Sequence, residues 1–120
     1  NFTAKLNHRA NERINQIHDF VSKNYQNRIT LAQISSLVNM SEETFCRFFK
    51  RTFNKTFFTF LNEYKIKLAC KLLIESDRQV TEIAFQCGYE SLPFFYRQFN
   101  KFMGCSPLAY QRKYARVFVG

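Results

Sequence analysis

A nine-residue pattern that opens on serine and sets an arginine within a phenylalanine stripe occurs twice in this chain, fifty positions apart. The copies are Ser41-Glu42-Glu43-Thr44-Phe45-Cys46-Arg47-Phe48-Phe49 and Ser91-Leu92-Pro93-Phe94-Phe95-Tyr96-Arg97-Gln98-Phe99. Serine, phenylalanine, arginine and phenylalanine coincide at four places. A short apolar stretch precedes each copy, Leu31 to Val38 and Val80 to Cys87, and a polar or glycine-containing turn separates it from the serine. A repeat of this kind requires one supersecondary unit to be built twice. The order of apolar helix, turn and serine-capped helix reads as two helix-turn-helix units.

Apolar residues recur at helical spacing through nearly the whole chain, which carries only three glycines and two prolines, so the fold class is all-α. A first helix over about Asn11 to Tyr25 places Ile14, Ile17, His18, Val21 and Tyr25 on one face, with His18 at its boundary. Thr30-Leu31-Ala32-Gln33 is a capping box, and the helix it starts buries Leu31, Ile34, Leu37 and Val38. After the Asn39-Met40 turn, Ser41 caps a helix whose first turn carries Glu42 and Glu43, where the macrodipole favours acids. Phe45, Phe48, Phe49 and Phe53 then share one face, as core residues rather than as a platform for stacked bases. The opposite face offers Glu43, Cys46, Arg47, Lys50 and Arg51. The longest helix runs from about Thr56 to Glu75. The second unit repeats the scheme: Val80, Ile83 and Ala84 inward, a turn at Cys87-Gly88-Tyr89 one residue longer than the first, and Ser91 as cap. Pro93 fits the first helical turn, where a missing amide costs little. Phe95, Phe99 and either Phe102 or Met103 face inward, leaving Leu92, Tyr96, Arg97, Asn100 and Lys101 outward. Ser106-Pro107 begins a last short helix. The chain divides into a first helix-turn-helix subdomain (1–56), a linker helix (57–75) and a second subdomain (76–120).

Eighteen basic against nine acidic residues give a net charge of +9, which favours a polyanionic partner, nucleic acid above all. Four scattered cysteines, Cys46, Cys70, Cys87 and Cys105, with only His8 and His18 beside them, lack metal-ligand spacing; no metal or other cofactor is expected. A phenylalanine-rich helical core needs no disulfides, so reduced thiols and a cytoplasmic location are expected. No apolar run is long enough to span a bilayer, and no membrane partner is expected. The chain opens on Asn1 rather than methionine and is read as a fragment of a longer protein.

With both units placed, the chain resembles the DNA-binding domain of AraC-type (AraC/XylS) transcription regulators over residues 11 to 114. The resemblance rests on Leu72-Leu73 through Asp77, Val80, Glu82-Ile83-Ala84, Gly88-Tyr89, Ser91, Phe94-Phe95, Arg97, Phe99, Lys101, Gly104, Ser106-Pro107 and Tyr110. It implies about seven helices, of which the third and sixth read adjacent major-groove segments of double-stranded DNA. It also implies an effector-binding or dimerising module elsewhere in the full-length chain, with RNA polymerase as a further partner. The family's base-reading positions fall on Glu43, Cys46 and Arg47 in the first unit and on Leu92, Pro93, Tyr96 and Arg97 in the second. Leu92 and Pro93 depart from the polar residues expected there and suit thymine methyl groups rather than donor and acceptor patterns. Gln111 stands where the family commonly has arginine, with Arg112 one place later.

Two equivalent arginines on capped helices of a basic domain suit bidentate contacts to guanine. Lys50, Arg51, Asn100 and Lys101, together with the helix starts at Thr30, Ser41 and Ser91, are the candidates for phosphate contacts. A linker helix of about 30 Å approaches one turn of DNA, enough to hold two reading heads in phase. Two other classes compete. A basic helical face can meet an acidic protein partner, and Cys46 beside Arg47 and Arg51 can serve a thiol-based redox response. An enzyme is not expected, because no histidine follows the first unit to act as base and no nucleophile-base arrangement is visible.

Overall fold

A computed structural model describes residues 1–115. They form seven helices: α1 (Phe2–Asn24), α2 (Leu31–Leu37), α3 (Glu42–Phe53), α4 (Phe57–Glu75), α5 (Val80–Gln86), α6 (Leu92–Met103) and α7 (Pro107–Tyr114). No strand occurs among the described residues, in keeping with the all-α reading. The chain forms two compact units, Asn1–Phe57 and Phe58–Gly120.

In the first unit, Ile17 and Val21 of α1, Ile34 and Val38 around α2, Phe45 and Phe49 of α3, and Phe57 are buried. The phenylalanines pack edge to face, Phe45 with its ring centroid 5.7 Å from Phe57 and Phe49 5.5 Å from it. His18 lies at the boundary, exposed, with its ring 6.0 Å from Phe53. The first helix begins nine residues earlier than its apolar stripe indicates. Asn1 caps it by accepting from the Thr3 amide at 2.9 Å, and no glycine or proline interrupts Phe2–Ala10. Phe2 and Leu6 are nonetheless 77% and 48% exposed. The periodicity therefore reports where α1 is packed, not where it starts.

The second unit is centred on Ile66, Ala69, Cys70 and Leu73 of α4, Ile83 and Ala84 of α5, Cys87, Tyr89, and Phe95 and Phe99 of α6. Tyr110 of α7 closes it, its ring 5.6 Å from Phe99. Phe102 packs against this core while Met103 is exposed, which settles the inward position between them. Leu92, expected to face outward, is half-buried against the same core.

The repeat extends well beyond the nine-residue pattern. Ile17 and Ile66, Val21 and Cys70, Ile34 and Ile83, and Val38 and Cys87 are buried pairs 49 positions apart; Phe45 and Phe95, Phe49 and Phe99, and Phe57 and Pro107 are buried pairs 50 apart. The offset changes at the turn because the second turn holds one more residue between its two caps, Gly88-Tyr89-Glu90 against Asn39-Met40. Both turns close alike. Asn39 and Gly88 take left-handed backbone (φ 58° and 91°) and donate to Ser36 and Phe85; Met40 and Tyr89 then donate back to Ser35 and Ala84, each at 3.0 Å. This Schellman arrangement satisfies the last carbonyls of α2 and α5 and reverses the chain into α3 and α6.

Candidate nucleic-acid interface

Local chemistry fixes where α3 and α6 begin and end. The Ser41 hydroxyl accepts from the Thr44 amide at 3.2 Å and donates to the Thr44 hydroxyl at 2.9 Å, while Ser91 accepts from the Phe94 amide at 3.3 Å. Pro93 lies in the first turn of α6, and Glu42 and Glu43 in that of α3. Asn54 and Gly104 end the two helices with φ of 60° and 74°, their amides donating to Lys50 and Asn100. Each reading-helix candidate is thus 12 residues long and starts and stops at matching places.

With Phe45 and Phe49 inward on α3, Glu43, Cys46, Arg47, Lys50 and Arg51 are all exposed. Cys46, Arg47, Lys50 and Arg51, with Thr56, line one open concavity, which brings together four residues singled out in the sequence. Thr56 had no role there. An Arg47 Nη donates to a Glu43 carboxylate oxygen at 3.0 Å. With side chains 65% and 82% exposed, this one-turn pair contributes only about 0.3–0.5 kcal/mol, so the guanidinium is readily released to a better acceptor.

On α6, Pro93, Tyr96, Arg97, Asn100 and Lys101 are exposed. The Arg97 guanidinium carbon lies 5.8 Å from the Phe94 ring centre, and the Lys101 ammonium 5.6 Å from that of Phe102. Phe94 was not among the sequence candidates, yet it emerges at the surface beneath Arg97. The signal for it was the three-residue spacing from aromatic to arginine, which puts both on one helical face. Thr30 uses its amide and hydroxyl in the capping box with Gln33, donating at 2.8 Å and accepting at 3.1 Å. Gln111 has a structural partner as well: its side-chain amide donates to the Arg78 carbonyl at 3.3 Å.

Asn62 and Lys65 of α4, which nothing in the sequence reading marked, contact the α5–α6 turn. The Tyr89 hydroxyl donates to the Asn62 side-chain carbonyl at 2.8 Å, and the Lys65 ammonium donates to the Gly88 carbonyl at 3.3 Å. Burial holds the Lys65 ammonium below its ordinary range, against the pull of Cys87 and Glu90. Burial also pushes the Cys87 thiol up to about 12 and raises the Tyr89 phenol. No group of three or more metal-ligating side chains occurs among the described residues, and none of their helices is long and apolar enough to cross a membrane.

Two turn-linked helix pairs, each presenting a capped amphipathic helix with cations on its outer face, define the helix-turn-helix class. Comparison with known proteins agrees. The family profile of helix-turn-helix domains matches residues 34–113. An uncharacterised HTH-type transcriptional regulator of Bacillus subtilis, YdeC, is 33% identical over 105 residues, covering 88% of this chain and 35% of that protein. The C-terminal domain of AraT, a response regulator from Geobacillus stearothermophilus, superposes with a TM-score of 0.82 at 24% identity, covering 90% of each chain. The DNA-binding domain of AdpA, solved in complex with a target DNA, superposes with a TM-score of 0.79 at 24% identity, covering 85% of this chain and 91% of that one. The two structural likenesses establish the fold. The chain belongs to the AraC-type helix-turn-helix family of transcription regulators. It spans about a third of the length of the curated relatives it matches.

Proposed function

We propose that this chain is the sequence-specific, double-stranded DNA-binding part of a transcription regulator, and that α3 and α6 each enter the major groove. The observation that carries this reading is the placement of Arg47 and Arg97. Both are exposed at the same register of two capped helices, α3 with Phe45 and Phe49 inward and α6 with Phe95 and Phe99 inward. Arg47 and Arg97 take guanine edges. Glu43, once its partner turns to a base, accepts from a cytosine amino group, while Cys46, Pro93 and Tyr96 provide apolar and polar contacts beside them. Leu92 contributes only its exposed edge. Lys50, Arg51, Asn100 and Lys101, with the helix starts at Ser41 and Ser91 and more weakly Thr30, contact phosphates and set the register. In this reading 1–56 and 76–120 are the two reading subdomains and 57–75 the linker.

The domain binds and performs no catalysis. An effector-binding or dimerising module elsewhere in the full-length regulator governs it, RNA polymerase receives its output, and it works in the cytoplasm. Selection from a randomised duplex pool tests the core of the proposal. A recurring site, bound with an affinity that falls about 10³-fold or more between 50 and 200 mM salt, is the expected result. No enrichment, or affinity indifferent to salt, would falsify it.

A further inference from the structure

The contacts of Lys65 and Asn62 continue as far as Arg97. The Lys65 ammonium that donates to the Gly88 carbonyl also lies 5.1 Å from the Tyr89 ring centre. Tyr89, anchored through its hydroxyl to Asn62, packs its ring 5.2 Å from Phe95 and 6.0 Å from Phe94. Phe94 in turn carries the Arg97 guanidinium 5.8 Å from its centre. A half-buried ammonium loses hydration that a turn carbonyl and an aromatic face replace, so its position is coupled to theirs. Asn62 and Lys65 are three residues apart on α4 and therefore grip the turn from one helical face. The first unit has no such grip at the matching places on α1. Arg13 there lies 5.9 Å from the Phe48 ring centre and Gln16 is exposed, while Met40 and Thr44 occupy the positions of Tyr89 and Phe94.

We infer that Asn62 and Lys65 clamp the α5–α6 turn and, through Tyr89 and Phe94, hold Arg97 in its reading pose; Lys65 is a positioning residue for the second reading helix. The inference rests on the proposed base-reading role of Arg97. Lys65 reaches Arg97 only through Tyr89 and Phe94, so on this inference its removal acts where Arg97 acts.

The test uses Lys65→Met, which keeps the stem but removes donor and charge, Lys65→Arg, which keeps both, and Tyr89→Phe, which keeps the ring and releases Asn62. Lys65→Met is expected to weaken binding to the selected duplex about three- to tenfold, the size of one lost hydrogen bond, with little change on random duplex. Lys65→Met combined with Arg97→Ala should bind as Arg97→Ala alone does. Combined with Arg47→Ala, the losses should multiply, and Lys65→Arg should restore binding. Losses that multiply with Arg97→Ala, or equal weakening of selected and random duplex, overturn the clamp. If Arg97→Ala is itself without effect, the reading of Arg97 fails, and amide spectra of the free protein decide the clamp separately. Lys65→Met and Tyr89→Phe must then shift the amides of Gly88 through Arg97 and leave those of α3 in place; unmoved α6 amides overturn it.

Discussion

At matching places on α3 and α6, Arg47 sits 3.0 Å from Glu43, whereas Arg97 lies over the Phe94 ring. The difference follows from two substitutions within the repeat, Glu43 against Pro93 and Thr44 against Phe94. An acid one turn before the arginine holds it by charge, and an aromatic three residues before it holds it by a ring. The cores differ in the same sense. Where the first unit buries Val21 and Val38, the second buries the thiols of Cys70 and Cys87, and Tyr89 takes the place of Met40. One architecture therefore supports two chemistries: the first unit has an apolar core and a polar outer face on α3, and the second has a core with buried thiols and a more aromatic outer face on α6.

The largest effects should show what the two units share. Phe49→Ala and Phe99→Ala each remove a fully buried ring at the same register and should each cost about 3–5 kcal/mol in denaturant unfolding. A cost below about 1 kcal/mol in one of them would break the equivalence.

The next test separates the units. The Cys87 thiol keeps its proton in the fold up to about 12 against an ordinary 9.0, and the Tyr89 phenol is raised too. Above pH 9 the unfolded chain sheds these protons while the folded unit retains them, so stability falls as pH rises from 9 towards 12. Lys65, lowered by burial, works in the opposite direction only below its ordinary 10.5. Amide exchange followed with pH should therefore show the second unit loosening first, and Cys87→Val, which copies Val38, should reduce the effect. Equal alkaline sensitivity in both units would contradict this.

Reading chemistry comes third. Arg47→Ala and Arg97→Ala should each cost about 1–3 kcal/mol on the selected duplex and much less on random duplex, with the losses mapping to different base pairs. The loss of discrimination should be larger for Arg47, whose neighbours are polar, than for Arg97, which stands among Pro93, Phe94 and Tyr96. If both variants weaken the two duplexes alike, with the salt slope reduced by about one unit each, the arginines are phosphate clamps.

A smaller test concerns the helix ends. A Cβ at Gly104 meets nothing within 4 Å, so Gly104→Ala should cost only the left-handed backbone penalty of about 1–2 kcal/mol. Gly104→Asn, which copies Asn54, should cost less; thermal unfolding distinguishes them. Smallest of all, Glu43→Gln should change stability by no more than about 0.5 kcal/mol, and a larger loss would mean that the pair with Arg47 is structural.

Much of this was legible in the residues. The serine caps, the Thr30–Gln33 capping box and the inward phenylalanines are local, since each depends on groups within one or two helical turns. For the same reason the longer second turn, the outward face of α3 and, apart from Leu92, that of α6 could be read directly. The start of α1 could not, because Phe2 and Leu6 extend a helix without packing, and periodicity reports burial. Leu92 was misplaced because its position on the helical wheel lies at the edge of the core, where the neighbouring surface decides.

By itself the sequence determined the doubled unit, the register of α3 and α6 and, apart from Leu92, the residues on their outer faces, because caps and 3.6-residue periodicity act at short range. Only the tertiary structure decided that Asn62 and Lys65 meet a turn more than twenty residues later, and that Tyr89 joins them to the rings beneath Arg97. Such contacts depend on how α4 packs against α5 and α6. No local pattern encodes the direction in which a lysine three residues after an asparagine will point until the core of Ile66, Cys70, Ile83 and Phe95 has set the helices in place.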